Sequence, residues 1–303
     1  MRSVRSMVLI VTRRTYEVHC SFPRLLNHYT EDMKIQAICT DIDGTLLDSR
    51  RQLSARTIAA IKSLKGIPVI LASSRMPAAM RHLQAELDIL RCPLISYNGG
   101  YIVHTAGATA RVLASVQVTR EHCADIVAMA RGTSVHVSLY TGDQWFAPAQ
   151  DQWTEREERI TKVKASVRSA EDVLAQWEAE RNGGHKVMCM GPEDEISALE
   201  SQLNRSLGSA LHVYRSRDTY LEIAPRAVSK ATAMVIALRD IYNIDIRNAM
   251  AFGDNYNDID MLAAAGLGIA VGNARPEVKA AAAETTLNSI DDGVAIAIQK
   301  YCL

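Results

Sequence analysis

The stretch Asp41-Ile42-Asp43-Gly44-Thr45-Leu46-Leu47-Asp48-Ser49-Arg50 sets two carboxylates two residues apart, directly after the apolar run Ile35–Thr40 and directly before a glycine. The run is too short for a helix and ends at a turn residue, so it reads as a buried strand. Carboxylates at the end of a buried strand are costly unless a cation or a reaction needs them. In an open α/β sheet that carboxyl end is where ligands bind. The competing reading is a capped turn, since Asp-Gly is a common turn dipeptide. Three further segments at strand ends or helix starts weigh against it: Leu71-Ala72-Ser73-Ser74-Arg75, Val228-Ser229-Lys230 and Phe252-Gly253-Asp254-Asn255-Tyr256-Asn257-Asp258.

On either side of this stretch, short apolar runs alternate with helical stretches. Ile35–Thr40, Ile67–Ala72 and Leu94–Tyr97 read as strands, with a helix over 54–65 that carries Ile58, Ile61 and Leu64 on one face behind a Ser54 N-cap. Pro77 sits where a helix would begin, ahead of Met80, Leu83 and Leu87. Near the C-terminus a helix over 229–242 precedes two more strands, Asn248–Phe252 and Leu267–Val271. Strand–helix–strand repetition implies a parallel sheet with right-handed crossovers, hence a doubly wound α/β core split across the sequence. Between about 105 and 215 the pattern changes. Val112–Val118, Val135–Tyr140, Lys186–Met190 and Leu211–Tyr214 read as strands, with helices over 121–130, 170–179 and 193–207, an inserted α+β unit.

Bulk properties are those of an ordinary globular chain: 303 residues, 48% hydrophobic, 22% charged. Lys+Arg and Asp+Glu are equal at 34 each, so no overall basic field favours nucleic acid or an anionic membrane. The six cysteines have no CxxC spacing, which fits a reduced cytoplasmic protein better than a disulfide framework or a zinc site. No apolar stretch approaches the roughly 20 residues of a membrane helix. Residues 1–32 hold five arginines and little periodicity, and read as a disordered extension or a misplaced start.

Taken together and in order, these segments resemble the haloacid dehalogenase superfamily, in its Cof-type phosphatase branch with a C2B-type cap. The resemblance runs from about Met33 to the C-terminus and includes Tyr97-Asn98-Gly99-Gly100, Leu221-Glu222-Ile223-Ala224-Pro225, Gly272-Asn273-Ala274 and Asp292-Gly293-Val294. It implies a core domain of residues 33–104 plus 215–303, a cap over 105–214, and strand order 5-4-1-2-3 in the core. It also implies an Mg²⁺-dependent phosphatase acting on a small phosphorylated metabolite, most simply a sugar phosphate, in a monomer or homodimer.

The chemistry would need an attacking carboxylate, a proton donor, a cation for the phosphoryl oxygens and a metal. Asp41 is the candidate nucleophile, giving an aspartyl-phosphate. Asp43 is the candidate general acid and base, with crowded carboxylates able to raise its pKa. Metal ligands would be the Asp41 side chain, the Asp43 backbone carbonyl and Asp254, with Asp258 in support. Lys230 would orient the nucleophile and offset charge; alone it could be a solvated lysine, although a cation at a helix N-terminus opposes the macrodipole. Ser73 would donate to a phosphoryl oxygen, and Ser74 stands where the family usually has glycine. Asn257 and Asp258 could equally be helix caps, and Asn98 with Gly99 a plain turn. In the cap, Lys186, His136, Tyr140 and Trp145 are polar-tipped residues open to packing, solvated or substrate roles. The alternatives are a phosphomutase of the same superfamily, a dehalogenase, and a catalytically idle metabolite-binding protein. Asp43 argues against the dehalogenase, because a leaving halide needs no acid.

Overall fold

The computed structural model describes residues 34–107 and 109–303. The expectation for residues 1–32 lies outside the described residues.

Five of the apolar runs form strands of three to five residues, buried throughout, as strands of a sheet covered on both faces should be. They are Ala37–Thr40, Val69–Ala72, Leu94–Ser96, Ala249–Gly253 and Leu267–Ala270, and all pair in parallel. The sheet runs in the order Glu284–Thr285, Leu267–Ala270, Ala249–Gly253, Ala37–Thr40, Val69–Ala72, Leu94–Ser96, then antiparallel Tyr101–Ala106 and Thr109–Ser115. Its five central strands therefore take the order 5-4-1-2-3 that the resemblance implied. Strand Ala37–Thr40 is central, with Ala37 opposite Ala249 and Ile38 opposite Val69, so the Asp41 turn emerges from the middle of the sheet.

Helices cover both faces. Ala55–Ser63 is capped by Ser54, whose hydroxyl accepts from Thr57 N–H. Pro77 opens a single 3₁₀ turn ahead of helix Arg81–Leu87. The expected helix over 229–242 is regular only across Lys230–Ala237 and continues as a wider π turn, Leu238–Tyr242, stopped by Asn243 at φ 54°.

A second sheet of six strands stands over the carboxyl ends of the first: Leu211–Arg217, Tyr220–Pro225, Lys186–Met190, His136–Thr141, Gln144–Ala147 and Ser166–Val167. It has its own core around Trp177, Ile196, Leu203 and Ile223. Compared with the expected ranges, the sheets change over later at both crossings. Thr109–Ser115 belongs to the first sheet, and Tyr220–Pro225 to the second. The first of these strands forms an edge hairpin with Tyr101–Ala106, turned at Gly107 (φ 64°), and most of it is exposed, so its apolar content gave no sign of which sheet it joins. Helix Gln152–Thr161 was not foreseen, because it buries Thr154, Glu157 and Glu158 rather than an apolar stripe. Five cysteines are described, all free. Among the described residues, no helix is long and apolar enough to cross a membrane.

Candidate active site

Three loops at the carboxyl ends of parallel strands bring the signalled residues together. The turn after Ala37–Thr40 carries Asp41 and Asp43, the loop after Val69–Ala72 carries Ser73, Ser74 and Arg75, and the loop after Ala249–Gly253 carries Asp254 to Asp258. Lys230 enters as the first residue of its helix, behind the Ser229 N-cap.

Lys230 is fully buried, and its Nζ donates to Asp41 Oδ1 at 2.5 Å and to Asp258 Oδ1 at 2.7 Å. Burial alone would weaken its basicity, but Asp258 and Asp41 outweigh it and hold the ammonium above the ordinary lysine range. Asp258 has no spare oxygen, since Oδ2 accepts from the N–H groups of Asp254 and Asn255. Asp258 thus closes the capping box of the 3₁₀ turn Tyr256–Asp258 and pairs with Lys230 at once.

Carboxylate oxygens of Asp41, Asp254 and Asp258 lie within 4.8 Å of one another, a cluster able to hold a divalent metal. Burial pushes Asp41 well above the usual carboxylate range; Lys230 opposes the rise, and Asp258 and Asp254 add to it. Asp254 is raised as well, by burial first, against the Thr45 hydroxyl that donates to its Oδ1 at 2.7 Å. A divalent cation would relieve both. One oxygen of Asp41 is taken by Lys230 and one of Asp254 by Thr45, leaving the second of each to share an ion; an all-oxygen set of this kind suits a hard cation. Gly44 makes the approach possible: it holds φ 88°, and a Cβ there would lie 2.6 Å from Asp254 Oδ2.

Asp43 differs from expectation. Its carboxylate stands outside the crowded cluster, gripped bidentately by Arg75 (Nε to Oδ2 and Nη2 to Oδ1, both 2.7 Å) with Arg51 at 3.7 Å. The electrostatic crowding expected at Asp43 falls on Asp41 instead, the carboxylate that the buried strand end carries.

A cavity of about 480 Å³ opens over these groups, lined by Asp41, Asp43, Ser73, Ser74, Asn98, Lys230 and Asn257 from below and by Lys186, Tyr214 and Glu222 of the second sheet from above. Ser73 is buried at its strand end, its Oγ accepting from Arg75 N–H. Asn257 Nδ2 donates to Asn98 Oδ1 at 2.9 Å, joining two loops across the floor. Gly99 lies behind this wall rather than in it. At φ 104° it packs on the carbonyl of Ser229, which a Cβ would approach to 2.4 Å. Of the four polar-tipped residues noted in the second sheet's region, only Lys186 reaches the cavity. Its Nζ donates to Ser74 O at 3.3 Å and lies 3.7 Å from Glu222. His136 is bonded to Asp151 and Ser138, and Trp145 stacks on Tyr140 and donates to Ser138, all packing roles.

Arg75, Thr45, Asn255 and Arg275 were not singled out from sequence. Arg75 and Thr45 sat inside quoted segments, where only the pairing distances reveal their part. Arg275 donates to Asn255 Oδ1 at 3.0 Å, and Asn255 in turn donates to Tyr214 OH of the second sheet.

Comparison with known proteins agrees with this architecture. The haloacid dehalogenase-like hydrolase family matches residues 38–298. An HMP-PP phosphatase of an Enterobacter species is 31% identical, covering 78% of this chain and 84% of that protein. A haloacid dehalogenase-like hydrolase of Bacteroides thetaiotaomicron has a crystal structure that superposes with TM-score 0.79 at 28% identity, over 88% of this chain and 99% of that one. A crystal structure from Thermotoga maritima superposes with TM-score 0.78 at 26% identity, over 88% and 97%. By its matched length, its sheet order and its clustered aspartates, the chain belongs to the haloacid dehalogenase-like hydrolase family.

Proposed function

We propose that this protein is an Mg²⁺-dependent phosphatase that hydrolyses a small phosphorylated metabolite, of the sugar phosphate class, through an aspartyl-phosphate. The observation that carries the reading is the buried Lys230 ammonium clamped between Asp41 and Asp258, with Asp254 within metal-sharing distance, at the floor of a covered cavity.

In this reading Asp41, oriented by Lys230, attacks phosphorus through a carboxylate oxygen. The ester P–O bond breaks, and the departing alkoxide takes a proton from Asp43. A water then gives its proton to Asp43 and attacks the phosphorus of the aspartyl ester, releasing phosphate and restoring Asp41. Asp41, Asp254 and the backbone carbonyl of Asp43 would hold Mg²⁺, which would supply positive charge against the phosphoryl oxygens. Ser73 and Lys230 donate to those oxygens, and Asn257 and Asn98 shape the floor beside them. Arg75 engages both oxygens of Asp43 at the cavity edge, so Asp43 has to leave that pair to carry the proton once substrate arrives. The free cysteines fit a reducing, cytoplasmic setting.

Phosphate release from a panel of sugar phosphates, nucleotides, phosphoglycolate and pyridoxal phosphate, with Mg²⁺ and with EDTA, tests this. Mg²⁺-dependent turnover is expected, with Asp41→Asn reduced by about 10⁴-fold or more. Asp254→Ala should weaken the Mg²⁺ response and activity together. Turnover that survives Asp41→Asn would refute the covalent route. Stimulation by a sugar bisphosphate with no net phosphate release would favour a mutase.

A further inference from the structure

A second cavity, of about 270 Å³, adjoins the first through Asp43, which lines the active-site cavity and pairs with Arg75 and Arg51 of the other. Arg50, Arg51, Arg75 and His82 form one wall, from the part of the chain that builds the first sheet. Arg159 and Lys162, at the end of helix Gln152–Thr161, form the wall opposite. Its lining contains no acidic residue. The one carboxylate paired with any of these cations is Asp43, shared by Arg75 and Arg51, and Arg50, Arg159 and Lys162 have no ion pair among the described residues.

This concentration is out of keeping with a chain of zero formal net charge. Five like charges facing one small space repel one another unless a counter-charge sits among them. The local field is felt by His82, whose basicity is lowered by burial and by Lys162 and Arg75 beside it. Four of the five cations are guanidinium groups, whose planar forks match phosphoryl oxygens in pairs. Asp43 neutralises only one charge, so a monoanion would leave the site strongly positive.

We propose that this cavity binds a multiply charged, phosphate-bearing anion at a site separate from the catalytic one, bridging the two sheet-bearing parts of the molecule. Bound there, the anion competes with Asp43 for Arg51 and Arg75 and draws Arg159 and Lys162 toward the first-sheet wall. It thereby couples cap position to the group that carries the proton. The binding does not depend on the catalytic reading.

Calorimetric titration of the full chain in EDTA, with inorganic phosphate in one arm and fructose 1,6-bisphosphate in the other, provides the test. The variant combines Arg159→Ala with Lys162→Asn, the asparagine chosen because residue 162 holds φ 59°. The control combines Lys62→Ala with Lys65→Ala, which removes the same charge outside the cavity. All four side chains are exposed, so both variants should melt as wild type does. At least a tenfold loss of affinity in the cavity variant, with the control within twofold, is expected in one arm or both. Loss seen in the phosphate arm assigns the site to free phosphate; loss confined to the bisphosphate arm assigns it to a phosphorylated metabolite. Wild-type affinity in the cavity variant, equal losses in both variants, or no binding in either arm would overturn the proposal.

Discussion

Lys230 holds the site together as a single residue. It has no access to water, and its two partners are carboxylates that would be buried and unpaired without it. Breaking a buried ion network from one side leaves uncompensated charge, which costs about 3–5 kcal/mol. Lys230→Ala should therefore lower unfolding free energy by that order in urea titrations, as well as abolish turnover; a variant as stable as wild type would show that the network is not buried as described. The sign of its pH dependence follows from the raised pKa. The stabilisation is complete below the ordinary lysine range and is lost only as pH climbs through the higher folded value, so it is constant across the neutral range. Lys230 was legible as a candidate because Val228-Ser229-Lys230 resembles a segment of the family pattern, and a cation in a first helical turn, which opposes the dipole, made a plain surface lysine less favoured. Its burial between two carboxylates was not, since Asp41 lies 189 residues away.

Among the elements, the turn joining strands Leu94–Ser96 and Tyr101–Ala106 of the first sheet carries three consecutive residues with positive φ. Tyr97, Asn98 and Gly99 hold φ of 52°, 56° and 104° in succession, a conformation unfavourable for the first and tolerated by the second. Tyr97 OH donates to Gly142 O at 2.8 Å, in the turn between two strands of the second sheet, and its ring stacks on His185. His185 accepts from Gly142 N–H at Nδ1 and meets Ser115 Oγ through Nε2, so it is the neutral linker between the sheets. Burial lowers its pKa from 6.5 to about 4. A base depressed on folding binds fewer protons folded than unfolded between those values. Stability is thus complete above pH 6.5 and falls as pH drops toward 4, by roughly 3 kcal/mol in all. Urea midpoints at pH 7 and pH 4.5 should show that loss in wild type and a flatter slope in His185→Gln; parallel slopes would remove His185 from the linkage.

Across the whole molecule, the second sheet closes the top of the catalytic cavity through Lys186 on Ser74 O and Tyr214 with Asn255. Enclosure on this scale selects by size before it selects by chemistry. A phosphopeptide should give no measurable phosphate release under conditions where the best small phosphate turns over, and comparable kcat/KM for the two would show that the second sheet does not bound the substrate. The cationic cavity belongs to this scale as well, because neither wall carries it alone.

Local sequence is enough to read the five central strands, their parallel pairing, and the four segments that carry Asp41, Ser73, Lys230 and Asp254. Apolar run length, turn chemistry and capping are local properties, and a buried strand end with carboxylates is costly wherever it occurs. Folding alone reveals which carboxylate is crowded, that Arg75 takes Asp43, that Gly99 supports the wall from behind, and that Thr109–Ser115 stays with the first sheet. Helix Gln152–Thr161 escaped for a related reason: its buried residues are Thr154, Glu157 and Glu158, so few apolar side chains mark its inward face. Ion pairing and sheet membership depend on distances between residues far apart in the chain, and a local pattern does not carry those distances.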